Sequence, residues 1–269
     1  MASAHNQGLS IFFDDTGAGC PVVLGHSFLC TGKMWHEQVP AFAETYRVLN
    51  LDFRGHGGSS EVTQSFSLYD AVSDVVAVLD EVGIERAVWC GLSVGGMVAL
   101  RAALTCPERV KGLILMDTDA GAEHLYRKLR NSAMGLGARF LGIGPFLPSI
   151  ARLMFGATTR RQNPALVREW KGEFSRVHLP SILLSLKALM QRDSVLDRLS
   201  QIGVPALVLV GEEDRSLPPI LSRQIHDALL DSELVQIPAA GHLSALEQPA
   251  AVNKAVLDFL DRRFTYEHA

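Results

Sequence analysis

Short apolar runs alternate with amphipathic stretches along most of this chain. Leu9 to Asp14 reads as an opening strand, followed by the turn residues Thr16-Gly17-Ala18-Gly19. Pro21 to His26 is a short buried strand, and Tyr46 to Asp52 is the next. Between them Met34 to Glu44 has helical character, with Pro40 shortening or breaking the first turn. Leu68 to Val82 is amphipathic: Leu68, Ala71, Val72, Val75, Val78 and Leu79 share one face at the helical period. Ile84 to Cys90 holds the β-branched and aromatic residues of a buried strand, and Val94 to Cys106 is helical until Pro107 stops it. Val110 to Met116 is again a strand. Near the end come a strand at Pro205 to Val210, a helix at Pro219 to Leu229, a strand at Leu234 to Ile237 and a closing helix at Leu246 to Arg263. Such alternation predicts an α/β protein: a mostly parallel sheet with helices on both faces.

Residues 121–200 break this rhythm and hold no strand pattern. Leu125, Leu129, Phe140, Leu141, Phe146, Leu147, Ile150, Met154 and Phe155 suggest short helices cut at Gly135, Gly142, Pro145 and Pro148. Further helices are expected at Pro164–Val177 and Pro180–Gln191, with the segment's aromatic and Met residues mostly in the core. The expectation is a helical lid at 121–200 inserted into a single core formed by residues 1–120 and 201–269.

Composition narrows the function classes. A hydrophobic content of 48% over 269 residues is ample for one packed core. No apolar run approaches the length of a membrane span, and the polar start at Met1–Gly8 lacks a leader pattern, so a cytoplasmic protein with no membrane partner is expected. A net charge of −4 argues against nucleic acid as a partner. The four cysteines have no metal-like spacing and read as small buried hydrophobes. Charge is unevenly placed: residues 121–200 carry thirteen Lys and Arg against five Asp and Glu. That basic island could steer an anionic ligand or dock against the acidic body. Oligomeric state is not legible.

The chemistry gathers at strand ends, where open parallel sheets place their sites. Gly91-Leu92-Ser93-Val94-Gly95 joins a strand to a helix. Its glycines leave room for a strained turn that lifts the Ser93 hydroxyl above the sheet, facing the free N–H groups of the following helix. Gly211-Glu212-Glu213-Asp214 and Ala239-Ala240-Gly241-His242 follow the last two strands. A neutral serine needs a histidine to take its proton, and the histidine needs an acid to fix its tautomer. Asp117 and Asp119 also follow a strand end and are alternative acids. His26 and His56 read as loop hydrogen-bonding residues, Arg54 as a loop-bracing ion-pair residue and Trp35 as packing for the first helix.

These stretches, with Leu24-Gly25-His26-Ser27-Phe28 and Asp52-Phe53-Arg54-Gly55-His56-Gly57-Gly58-Ser59, resemble the α/β-hydrolase fold superfamily along nearly the whole chain. Within it the chain is similar to the group of arylesterases, cofactor-free haloperoxidase-like perhydrolases and β-ketoadipate enol-lactonases. The resemblance implies Ser93 as nucleophile, Asp214 as acid, His242 as base, and an oxyanion hole from the N–H groups of Phe28 and Val94. It implies hydrolysis of a small to medium carboxylic ester through an acyl-enzyme, with perhydrolysis as a side activity and with no metal or organic cofactor. Hydrolysis of an anionic enol-lactone or of a carbon–carbon bond can use the same residues, and a ligand receptor on a hydrolase scaffold is a different class. One departure is His26-Ser27, where many relatives carry His-Gly; the oxyanion loop is expected to sit differently for it.

Overall fold

The computed structural model describes residues 2–264. Its strands are β1 (Ala2–Asn6), β2 (Leu9–Thr16), β3 (Pro21–Gly25), β4 (Arg47–Leu51), β5 (Ala87–Leu92), β6 (Val110–Met116), β7 (Ala206–Gly211) and β8 (Ser232–Ile237). They form one eight-stranded sheet in the order β1-β2-β4-β3-β5-β6-β7-β8. From β4 through β8 every pairing is parallel; β1 and β2 add an antiparallel edge. β5, β6 and β7 are buried almost throughout, as strands covered on both faces must be.

The helices are α1 (Gln38–Phe42), α2 (Leu68–Glu81), α3 (Val94–Thr105), α4 (Leu125–Leu141), α5 (Leu147–Met154), α6 (Ala157–Gln162), α7 (Pro164–Ser175), α8 (Leu179–Met190), α9 (Pro219–Ala228), α10 (Ser244–Glu247) and α11 (Pro249–Phe264). Buried residues of α2, α3 and α9 pack on one face of the sheet. On the other, α11 packs with Trp35, Phe42 and the inner sides of α5 and α7. Five helices, α4 to α8, fall between β6 and β7.

The structure departs from the sequence expectations at four places. β1 was not foreseen, because Ala4 is its one buried side chain and the segment shows no apolar alternation. The expected first helix is a 3₁₀ turn at Gly32–Trp35 and the short α1, in keeping with Pro40 inside it. Gly135 does not cut α4: a Cβ there would lie 2.9 Å from Leu186 Cδ2, so glycine serves close packing against α8. The closing helix is split at Gln248-Pro249 into α10 and α11.

Candidate active site

Ser93 is the single residue between β5 and α3, with φ 56° and ψ −112°, where L residues are rarely found. Surrounding bonds hold it there. Its N–H donates to Met116 O at 2.8 Å, and its carbonyl accepts from Met97 N–H at 3.0 Å and from the Thr118 hydroxyl at 2.6 Å. Steric demand explains the flanking glycines: a Cβ on Gly91 would lie 2.1 Å from Gly95 C, and one on Gly95 would lie 2.1 Å from Gly25 O. Both contacts are with backbone, which cannot yield. The turn therefore exists only with glycine at both positions.

His242 follows β8 on a loop whose Ala239 also has positive φ. Its Nε2 lies 3.0 Å from Ser93 Oγ and its Nδ1 lies 2.8 Å from Asp214 Oδ2. With the Nδ1 proton donated to Asp214, Nε2 is left to accept the serine proton. The other Asp214 oxygen accepts N–H bonds from Ser216 at 2.7 Å and Leu217 at 2.9 Å, which fixes the carboxylate. All three side chains are buried. Burial alone would lower the basicity of His242, but the charge and hydrogen bond of Asp214, with the charges of Asp117 and Glu247, together outweigh it and raise the pKa above the ordinary value.

The alternative acids lie nearby in different roles. Asp117 is fully buried at the end of β6, accepting from Gly211 N–H at 2.7 Å and from the Ser244 hydroxyl. Burial, and then the charge of Asp214, push its pKa well above the usual carboxylate range. Asp119 is tied to Arg192 at 3.0 Å and Arg127 at 3.3 Å. Neither is hydrogen-bonded to His242; Asp214 is.

Phe28 and Val94, the expected oxyanion donors, both adjoin this site, Phe28 in the cavity wall and Val94 at the first turn of α3. Neither N–H is bonded to another protein group among the described residues. Ser27 takes the place of the common glycine without a left-handed backbone; that conformation falls on Leu29, at φ 66°. The Ser27 hydroxyl is buried and has no hydrogen-bond partner among the described residues. His26 braces the loop, its Nδ1 donating to Ser27 O and its Nε2 accepting from Phe53 N–H. Burial lowers the His26 pKa to about 4 and that of His56 to about 3, so both are neutral struts. Arg54 pairs with Asp74 in a buried ion pair, as a loop brace should.

A cavity of about 150 Å³ opens beside Ser93 and His242. Met97, Met134, Ile150, Ile182, Leu186 and Leu217 make its wall largely apolar. Arg192, which also lines it, is buried and bound to Glu123 at 2.9 Å and Asp119 at 3.0 Å. Arg130 is the contrasting cation: it lines the same cavity, its one hydrogen bond runs to Asn131 Oδ1 at 3.1 Å, and it makes no ion pair among the described residues. No three His, Cys, Asp or Glu side chains among the described residues converge as metal ligands would.

Glu247 was not singled out from sequence. It accepts N–H bonds from Gly156 at 2.8 Å and Gly241 at 2.9 Å, joining the His242 loop to the start of α6. A Cβ on Gly241 would lie 2.2 Å from Gly156 N, so the two backbones touch at this point. In the sequence Glu247 looks like an ordinary acidic residue early in a helix, and only the split of that helix turns it inward.

The chain resembles known proteins along nearly its whole length. The sequence model of the alpha/beta hydrolase fold matches residues 21–249. A 2-hydroxy-6-oxononadienedioate/2-hydroxy-6-oxononatrienedioate hydrolase of Burkholderia vietnamiensis is 31% identical over 94% of this chain and 92% of its own. A thermophilic esterase from Thermogutta terrifontis, solved with malate bound, superposes with a TM-score of 0.93 at 28% identity, covering 98% of this chain and 99% of that one. The enol-lactonase from Burkholderia xenovorans superposes with a TM-score of 0.90 at 26% identity, covering 96% and 99%.

Proposed function

The chain belongs to the α/β-hydrolase fold family and is a hydrolase; from that premise we propose that it cleaves a carboxylic ester through an acyl-enzyme on Ser93. The observation that carries the reading is the unbroken chain from Asp214 to His242 to Ser93, at 2.8 and 3.0 Å, opening on an apolar cavity. Ser93 Oγ attacks the ester carbonyl while His242 Nε2 takes its proton. Phe28 and Val94 N–H groups donate to the tetrahedral oxyanion, an interaction worth about 10²–10³ in rate per donor. His242 then passes the proton to the leaving alcohol oxygen as the C–O bond breaks. Water enters, loses a proton to His242 and attacks the acyl carbonyl; collapse frees the acid and returns the proton to Ser93.

A cavity of this volume takes a group about the size of a benzene ring, which favours a short or compact acyl part. Residues 121–200 act as the lid over it, inserted into the core formed by 1–120 and 201–269. Hydrolysis of a p-nitrophenyl ester series from acetate to long chains tests the reading. A short-chain optimum is expected, with Ser93→Ala lowering kcat by at least about 10⁴. Equal rates for the two proteins would end it.

Arg130 favours a second reading, an anionic lactone whose carboxylate pairs with this cation at the cavity wall. Arg130→Gln should then raise KM for an anionic enol-lactone roughly tenfold at nearly constant kcat, while leaving a neutral ester unaffected. An unchanged KM would remove this reading and leave the esterase intact.

A further inference from the structure

The sequence has no spanning segment, and on that ground no membrane partner is expected; the outer side of α4 points to a different mode of contact. No helix among the described residues is long and apolar enough to cross a membrane. Yet Leu125, Tyr126, Leu129, Leu136, Phe140 and Leu141 are all 60–77% exposed. Leu125, Leu129, Leu136 and Phe140 recur at spacings of four, seven and four, which sets them in one stripe with Tyr126 beside it. The opposite side of the helix, through Met134, Gly135 and Ala138, lines the catalytic cavity. α4 is therefore apolar on both sides, and one side has no cover among the described residues. The four side chains of the stripe, with Tyr126 beside them, stand out along a helix about 25 Å long.

The charges decide what covers it. α4 carries Arg127, Lys128, Arg130 and Arg139 and no acidic residue. Arg127 is turned inward to Glu123 at 2.6 Å and Asp119 at 3.3 Å. Lys128 and Arg139 are exposed, and their helical positions set both along one flank of the stripe. A second copy packed antiparallel on the same stripe would bring these cations together with no carboxylate between them. An anionic lipid surface suits both features: Leu, Phe and Tyr enter the headgroup boundary, and the flanking cations meet phosphates. We infer that α4 is a docking helix for an anionic lipid surface, lying in its plane with the catalytic cavity directly behind it. This assignment does not depend on the role of Ser93.

Vesicle flotation tests it, using phosphatidylcholine vesicles with and without phosphatidylglycerol. The wild type should float with the phosphatidylglycerol vesicles. Leu129→Glu/Phe140→Glu should weaken that partitioning at least tenfold, with hydrolysis of soluble p-nitrophenyl acetate and the circular dichroism spectrum retained. Lys128→Gln/Arg139→Gln should lose the preference for phosphatidylglycerol. Wild type that floats with neither vesicle, or a Leu129→Glu/Phe140→Glu variant that floats equally well, overturns the inference. A wild-type dimer in sedimentation velocity that the same variant makes monomeric also overturns it, since a second copy would then cover the stripe.

Discussion

Two carboxylates meet near His242, and their surroundings separate their roles. Asp214 accepts from Ser216, Leu217 and His242, whereas Asp117 is deeply buried within range of the Asp214 charge, with its pKa raised. If Asp214 is the acid of the triad, Asp214→Asn should cut kcat by about 10⁴, because the wrong imidazole tautomer is then favoured. Asp117→Asn, an isostere of a protonated acid, should change kcat less than about tenfold. The pH profile carries the same logic. His242 must be neutral to act as base, and Asp214 raises its pKa, so kcat/KM should rise with pH through a value above 6.5. In Asp214→Asn burial dominates, and that limb should move to lower pH. A profile unmoved by Asp214→Asn would contradict the assignment. That Ser93, Asp214 and His242 would come to one edge of the sheet was legible because each follows a strand end, while the choice of Asp214 over Asp117 and Asp119 came from the resemblance to the family. The positions of Asp117 and Glu247 were not legible, since whether an acid is buried depends on contacts distant in sequence.

The strand–turn–helix unit of β5, Ser93 and α3 is where local sequence and chemistry are most tightly bound. A methyl group on Gly95 would collide with Gly25 O, joining the serine turn to the end of β3, from which the loop bearing Phe28 departs. Gly95→Ala should therefore cost at least about 2 kcal/mol in equilibrium unfolding and reduce activity further through the displaced Ser93. A variant of wild-type stability and rate would show that the turn relaxes freely. At this scale the parallel strands were readable to within a few residues, because continuous apolar runs have few other uses. α4 was misread in two respects. Gly135 and Gly137 pack against Leu186 and Phe146 rather than ending the helix, and Phe140, expected in the core with the segment's other aromatics, faces outward alongside Leu125 and Leu129. Periodicity reports that a helix has an apolar side; it cannot report that a helix has two.

Across the whole molecule only part of the basic island is paired internally. Arg192, just past α8, and Arg127, on α4, close on Asp119 and Glu123, while two of the segment's own acids are taken by cations outside it, Glu173 by Lys33 at 2.7 Å and Asp193 by Arg101 at 2.8 Å. The net charge of the segment was legible, but its distribution between clasps, cavity and outer surface required the fold. Of the segment's cations that make no ion pair among the described residues, Arg130 lines the cavity and Lys128 and Arg139 flank the exposed stripe of α4, where an anion can be met. The central claim is covalent, and intact-mass spectrometry tests it most directly. Protein mixed with p-nitrophenyl acetate and quenched in acid during turnover should gain one acetyl group, mapped to the peptide bearing Ser93. Accumulation should be greater in His242→Ala if deacylation is slowed more than acylation, and Ser93→Ala should show no adduct. An enzyme that turns over the ester with no adduct at Ser93, or with the same adduct in Ser93→Ala, would contradict the account.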